Sequence, residues 1–313
     1  MSEVISRELA KHWWLRCVAC SEASMTTQMR GFGIDEPAYE QAIHAFSGGF
    51  MHLGHACGLL TGAVMAAGFV ARSRFDDDGT RSGAALFAAI QLAKAHPELI
   101  AKAHPELTGS GNCREITEMS LTKLSGRLRY VQQGKGRMCG RLHVKWAPKA
   151  QQVIDKALME FAERRPAGSC ANCTVQTMRE LKSSVRMKAK DSVLVAGFAG
   201  GVGLLGNVCG ALAAGVFAMS AADHLGPKHR KRDSRIRGSF EELAGVNYRG
   251  AATRLRLEFV RQFGSELCIN IIGRRFRDAA DHSTFVEQGG CENVRKLVID
   301  WTAEHAARER TSA

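Results

Sequence analysis

Proline is scarce in this chain, with 6 in 313 residues, and tyrosine scarcer, with 3. So little proline leaves long stretches free to be helical and excludes collagen-like or proline-rich disordered architectures. No run alternating apolar with polar residues brackets an Asn-Gly or Asp-Gly turn, so hairpin-built sheets are not expected. Residues 1–15 carry Glu3, Arg7, Glu8, Lys11 and His12 where a secretory leader would be apolar, so a cytoplasmic protein is expected. The pattern Cys-x-x-Cys-His does not occur, which argues against covalent c-type haem. No known nucleic-acid-binding module is recognisable and aromatics seldom interleave with the basic runs, so nucleic acid is not an expected partner.

What is present is apolar, basic and rich in thiols. Apolar residues make up 45% of the chain, enough for one large core or two smaller ones, and the length favours two domains. Lys and Arg number 43 against 31 Asp and Glu, for a formal charge of +12. Glycine reaches 32 and cysteine 10. In a reducing compartment, ten cysteines point to metal ligation or redox chemistry before structural disulfides, although a buried thiol also serves as a small hydrophobe.

The cysteines fall into two series. Cys17, Cys20, Cys57, Cys113 and Cys139 are followed by Cys170, Cys173, Cys209, Cys268 and Cys291, at offsets of 153, 153, 152, 155 and 152. Their surroundings repeat too. Phe46-Ser47-Gly48-Gly49 with Gly54-His55-Ala56-Cys57-Gly58 matches Phe198-Ala199-Gly200-Gly201 with Gly206-Asn207-Val208-Cys209-Gly210. Gly109-Ser110-x-x-Cys113 matches Gly264-Ser265-x-x-Cys268, and Val131-Gln132-Gln133-Gly134 matches Val286-Glu287-Gln288-Gly289. Packing preserves a duplicated apolar pattern but does not readily preserve five thiols in register, so the chain reads as a tandem repeat. The boundary falls in the polar stretch 164–169, giving domains 1–165 and 166–313. The duplicated Ala-Lys-Ala-His-Pro-Glu-Leu at 93–99 and 101–107, and the basic run 228–232, read as surface insertions.

Apolar spacing predicts an all-α fold of two tandem helical bundles related by pseudo-two-fold symmetry. Helices are expected over 6–28, with Leu9, Trp13, Cys17 and Cys20 at helical spacing and Gly31 as the stop. Others are expected over 113–128, 148–163 (with Pro148 in the first turn), 249–263 and 293–307. Trp13 and Trp14 read as core or interface residues.

The uncharged glycine-rich segments 41–71 and 193–222 admit three readings. Each is long enough to suggest a membrane span, but paired glycines make one continuous helix costly, at about 1 kcal/mol per glycine relative to alanine. Gly201-Val202-Gly203-Leu204-Leu205-Gly206 fits a dinucleotide-binding GxGxxG, which needs a strand before it and a helix after it. The third reading is a tight loop delivering Cys57 and Cys209 to helix starts, where the helix dipole favours a thiolate. His52 and His55 face Leu204 and Asn207 in the repeat and, lacking duplicates, read as local polar residues.

The pattern Phe-x-Gly-Gly-x-x-x-x-Gly-x-x-Cys-Gly, with a cysteine upstream, Gly-Ser-x-x-Cys downstream and a last cysteine, resembles the redox-active C_GCAxxG_C_C family. A related domain occurs in split-Soret cytochromes. Neither half spells Gly-Cys-Ala, since both place the cysteine before the glycine. The resemblance covers nearly the whole chain as two fused copies. It implies iron–sulfur binding, with the family's four cysteines falling on Cys20, Cys57, Cys113 and Cys139, then on Cys173, Cys209, Cys268 and Cys291.

Four thiolates per half also meet the ligand count of a [2Fe–2S] or [4Fe–4S] cluster, or of a zinc site. The extra cysteines make Cys17-x-x-Cys20 and Cys170-x-x-Cys173, whose two sulfurs, at i and i+3, are expected on one helix face, able to chelate together or form a redox pair. All ten are therefore candidate metal ligands, and the two pairs are candidates for one shared four-thiolate site. The expected function is electron transfer through iron–sulfur clusters or redox-active dithiols. Zinc or copper on the same thiols in a non-redox protein, and a membrane-associated transport component, are the alternatives. The basic segments 127–149 and 228–237 suit an acidic redox partner or plain solvation, and a homo-oligomer is compatible with the repeat.

Overall fold

The computed structural model describes residues 4–17, 19–103, 109–164, 170–182, 184, 188–225 and 250–311. Among them the chain is all-α, its only β-type pairings being two isolated bridges, Ala56 with Asn112 and Val208 with Leu267. These bridges occupy equivalent positions of the repeat.

The first half contains α1 (Arg7–Arg16), α2 (Cys20–Gly31), α3 (Pro37–Ala42), a 3₁₀ turn η1 (Ile43–Phe46), α4 (Gly58–Arg74), α5 (Asp78–Ala103), α6 (Cys113–Thr117), α7 (Leu124–Gln132) and α8 (Lys135–Arg164). The second contains α9 (Cys173–Leu181), the 3₁₀ segment η2 (Ala189–Phe198), α10 (Gly210–Leu225), α11 (Ala251–Phe263), α12 (Cys268–Ile272), α13 (Ala279–Glu287) and α14 (Glu292–Thr311). In register, α2 matches α9, α3 with η1 matches η2, α4 matches α10, and α6, α7 and α8 match α12, α13 and α14.

The halves share one core rather than standing apart. Every residue of α4 from Gly58 to Ala71 is buried, so the helix is apolar all round and sits among α2, α5 and η2. Its counterpart α10 packs on α9 and reaches across to α3. Residues related by the repeat meet each other: the Phe46 and Phe198 rings lie 5.0 Å apart, and the Tyr39 hydroxyl donates to Asp191 Oδ2 at 2.5 Å. Such self-contacts mark the pseudo-two-fold axis. Asp191 is 1% exposed and also accepts from Arg72 at 2.5 Å, while Arg72 reaches Glu36 at 2.6 Å. A buried carboxylate with two donors thus pins the second half to α3 and α4 of the first.

Several expected helices differ in detail. The helix expected over 6–28 is two helices, because Cys17 and Ala19 are extended at the junction of α1 and α2. The helix expected over 113–128 breaks at Glu118, whose φ of 56° is left-handed. Pro148 lies inside α8, which starts at Lys135 rather than at Pro148. The first Ala-Lys-Ala-His-Pro-Glu-Leu copy is not a surface insertion. It continues α5, with His96 1% exposed and its ring 4.9 Å from that of Trp146. The second copy from His104 onward, the linker 165–169 and the basic run 228–232 lie outside the described residues.

The glycine-rich segments are each cut into a 3₁₀ stretch, a turn and one helix. Among the described residues no helix is long and apolar enough to cross a membrane. The GxGxxG stretch follows η2 rather than a strand, which removes the geometry a dinucleotide needs.

Candidate functional site

The glycine-rich loops set the cysteines. Residues 48–52 all have positive φ between 55° and 74°, and residues 200–204 between 60° and 81°, so each loop makes a left-handed turn. Outside glycine this costs roughly 1–2 kcal/mol per residue, borne here by Phe50, Met51 and His52 and by Val202 and Leu204. The same hydrogen bonds close both turns: His55 N–H to Gly49 O at 2.9 Å, and Asn207 N–H to Gly201 O at 3.0 Å. A Cβ on Gly49 would fall 2.5 Å from the His55 backbone, and one on Gly201 2.4 Å from that of Asn207. Glycine is required there by both φ and space.

Immediately beyond each turn, two backbone hydrogen bonds clamp cysteines together. Cys57 N–H donates to Gly111 O at 2.8 Å and Cys113 N–H to His55 O at 2.7 Å. In the second half Cys209 N–H donates to Glu266 O at 2.8 Å and Cys268 N–H to Asn207 O at 2.7 Å. Cys57 and Cys209 then open α4 and α10, as the third reading of these segments expected. The glycine after each admits a neighbouring residue: a Cβ on Gly58 would lie 2.3 Å from Cys20 Sγ, and one on Gly210 2.3 Å from Thr174 Cγ2 and 3.3 Å from Cys173 Sγ. The Cys-Gly pair is a packing requirement of the thiol set.

Cys17, Cys20, Cys57, Cys113 and Cys139 line one cavity of about 290 Å³, together with Trp14, His52, Arg127 and Tyr130. Burial raises the Cys57 thiol well above its usual range, and the nearby Cys20 and Cys139 raise it further, outweighing the backbone N–H groups of Leu59 and Leu60 at the helix start. Cys113 is raised by burial and by Cys57, Cys20 and Cys139. Burial pushes Cys139 up to about 12, against the opposing influence of the neighbouring Tyr130 hydroxyl. The helix-start thiolate expected at Cys57 is therefore overruled by desolvation and like charge. A soft cation at this spot, or removal of the protons by oxidation, relieves that repulsion.

Cys173, Cys209, Cys268 and Cys291 line a second cavity, but its volume is about 10 Å³, space for about one water. Phe276 and His282 fill the remainder, and burial lowers His282 to about 4, so its ring is neutral at pH 7. Burial pushes Cys209 up to about 12 and raises Cys268. Cys291 raises the Cys173 thiol and burial raises it further, while Cys173 in turn lowers Cys291. Cys170 turns aside, donating to Ala279 O at 3.6 Å.

The two Cys-x-x-Cys pairs span helix junctions instead of one helix face, and Cys20 and Cys173 line separate cavities with the cysteines of their own half. Neither cavity carries cysteines of both halves, which speaks against one shared site. All ten cysteines are thiols. Among the described residues no group of three or more His, Cys, Asp or Glu side chains is set as a ready-made metal site. Donor chemistry and room suit a bound group in the first half; room is lacking in the second.

Sequence reasoning missed the bridge joining the two sets. His55 Nε2 meets Glu266 Oε1 at 2.8 Å, and Arg256 donates to the same oxygen at 3.2 Å. Asn207 Oδ1 accepts from Ala56 N–H at 3.0 Å and Val208 N–H at 2.9 Å, while its Nδ2 donates to Asn112 Oδ1 at 2.9 Å. One side chain thus touches the neighbours of Cys57, Cys113 and Cys209. The available signal was that His55 and Asn207 occupy the same repeat position, so their divergence marks partners facing each other at the axis. Tyr130, behind Cys139, had no such signal.

The model of the family described as "Putative redox-active protein (C_GCAxxG_C_C)" matches residues 18–153 and again residues 168–305. The chain belongs to this family. It carries two copies of the C_GCAxxG_C_C domain in tandem, and together the matches span most of its length. No curated protein and no solved structure matches it. The family description gives a redox role, and the eight cysteines on which the resemblance places its pattern all line the two cavities, with Cys17 as a ninth.

Proposed function

We propose that this protein transfers electrons and that Cys20, Cys57, Cys113 and Cys139 hold an iron–sulfur cluster. The observation that carries this reading is the convergence of all five first-half thiols on one cavity of about 290 Å³. Their mutual electrostatic elevation favours a soft cation over four protons. When bound, a cluster supplies one-electron chemistry at a potential set by ligands, burial and hydrogen bonds to sulfur. The chain's own residues do the tuning: Tyr130 lies on the cavity wall beside Cys139 and acts to lower its thiol, while burial of the thiols acts to raise it. Cys17 stands by the cavity as a fifth thiol.

A reducing, cytoplasmic setting suits thiols kept in this state. The partner fitting this half is an acidic electron carrier. Between positions 119 and 154 there is no Asp or Glu, while Lys123, Arg129, Arg137 and Arg141 are exposed. On α7, which buries none of its residues, Leu124, Leu128 and Val131 are 50%, 43% and 61% exposed at helical spacing. An apolar stripe rimmed by cations thus lies on the helix whose Arg127, Tyr130 and Val131 line the thiol cavity.

Anaerobic purification with iron, acid-labile sulfide and zinc analysis tests the reading. Iron and sulfide lost on Cys57→Ser support it. Stoichiometric zinc with no reducible signal overturns it and favours a non-redox metal protein.

A further inference from the structure

The halves have the same fold and the same four family cysteines, so each is a control for the other. In the first half the four line a cavity of about 290 Å³; in the second they line one of about 10 Å³. The difference comes from the helix after the third cysteine. In α13, His282 is 0% and Val286 5% exposed, and Phe276 closes over the thiols beside them. In α7 the residue equivalent to Val286 is Val131, 61% exposed. The second set is packed shut by side chains that the first set lacks.

Cys173, at the first turn of α9, and Cys291, just before α14, line this closed cavity and are buried in one apolar cluster with Cys268 and Phe276. Of the neighbouring thiols, Cys291 acts most strongly on Cys173 and Cys173 on Cys291. Cys170 is tied to Ala279 O outside the cavity. A polyatomic cluster does not fit a space for one water, whereas a sulfur–sulfur bond needs none, being about 2.05 Å long.

We propose that Cys173 and Cys291 form a reversible dithiol–disulfide couple, so that the two halves carry different redox chemistry. This rests on the redox reading of the second set and is independent of a cluster in the first. With a low-molecular-weight disulfide as oxidant, the sulfur of Cys291 attacks one of its sulfurs and releases one thiol. The sulfur of Cys173 then attacks the Cys291 sulfur of that mixed disulfide and expels the second small thiol. The Cys173–Cys291 bond forms, the small disulfide bond breaks, and the two protein S–H protons leave on two small thiols. Two electrons pass from the protein to the small disulfide.

The test equilibrates the full-length protein, purified anaerobically, with graded ratios of reduced to oxidised glutathione, followed by acid quench, alkylation and peptide mass spectrometry. A Cys173–Cys291 cross-linked peptide should rise to most of the protein and disappear on return to reduced glutathione. Cys170→Ser should leave it unchanged, and Cys291→Ser should abolish it. Absence of the cross-link in fully oxidised glutathione overturns the proposal. So does one zinc or iron per chain retained in the Cys57→Ser/Cys113→Ser variant and lost when Cys291→Ser is added. A chain without iron in its first half that still forms the cross-link defeats the cluster reading and leaves this one standing.

Discussion

Replacing Glu266 by glutamine removes the charge at the bridge between the two thiol sets while keeping an acceptor for His55. The hydrogen bond to His55, with Arg256 adding to it against the effect of burial, holds the Glu266 carboxyl at about 2, from an ordinary value of 4.5. Its folded-state pKa is depressed, so the stabilisation is complete above about pH 4.5 and is lost as pH falls toward 2. At ~1.4 kcal/mol per pH unit between the two values, the interval corresponds to about 3 kcal/mol. The Glu266 side chain is 12% exposed, so solvent screening removes little of it. Urea unfolding followed by circular dichroism at several pH values measures the difference between wild type and Glu266→Gln. That difference should be about 2–3 kcal/mol at pH 7, nearly unchanged at pH 5, and less than half as large by pH 3. A gap under about 0.5 kcal/mol at pH 7, or one that persists undiminished to pH 3, refutes the reasoning.

Asp191→Asn should destabilise by about 2–4 kcal/mol, because it removes the buried carboxylate between Tyr39 and Arg72 and leaves Arg72 only the more exposed Glu36; the same unfolding curves measure it. Gly49→Ala and Gly201→Ala should each cost more than about 2 kcal/mol, since both φ and the backbone contacts forbid a Cβ, and thermal melts should fall accordingly. Cys20→Ser should remove iron from the first half, whereas Cys170→Ser should leave the metal content unchanged, as read by elemental analysis. Arg137→Glu/Arg141→Glu should slow electron transfer from an acidic ferredoxin about tenfold or more at low salt, with the difference vanishing at high ionic strength.

The cysteine register made the duplication and the two thiol sets legible, because five thiols at nearly one offset record function rather than propensity, and apolar spacing made the all-α class legible. The local geometry was less so. Phe50, Met51 and His52 take left-handed φ against their intrinsic preference, held there by hydrogen bonds that the fold supplies. The apolar period runs through Cys17 and Ala19 without a break, although the backbone is extended there. Val131 and Val286 are the same residue at the same repeat position, yet one is exposed and the other buried, so this part of the difference between the cavities could not be read from type or spacing. The His55–Glu266 pair joins positions 211 residues apart, which only the pseudo-two-fold packing brings together.

The most direct measurement is a reductive titration of the anaerobically purified full-length chain, followed by EPR and visible absorption. A reversible signal that accompanies iron and sulfide and disappears in Cys20→Ser is the result predicted for a cluster on the first-half thiols. A chain that carries zinc and stays silent through the whole titration would contradict it.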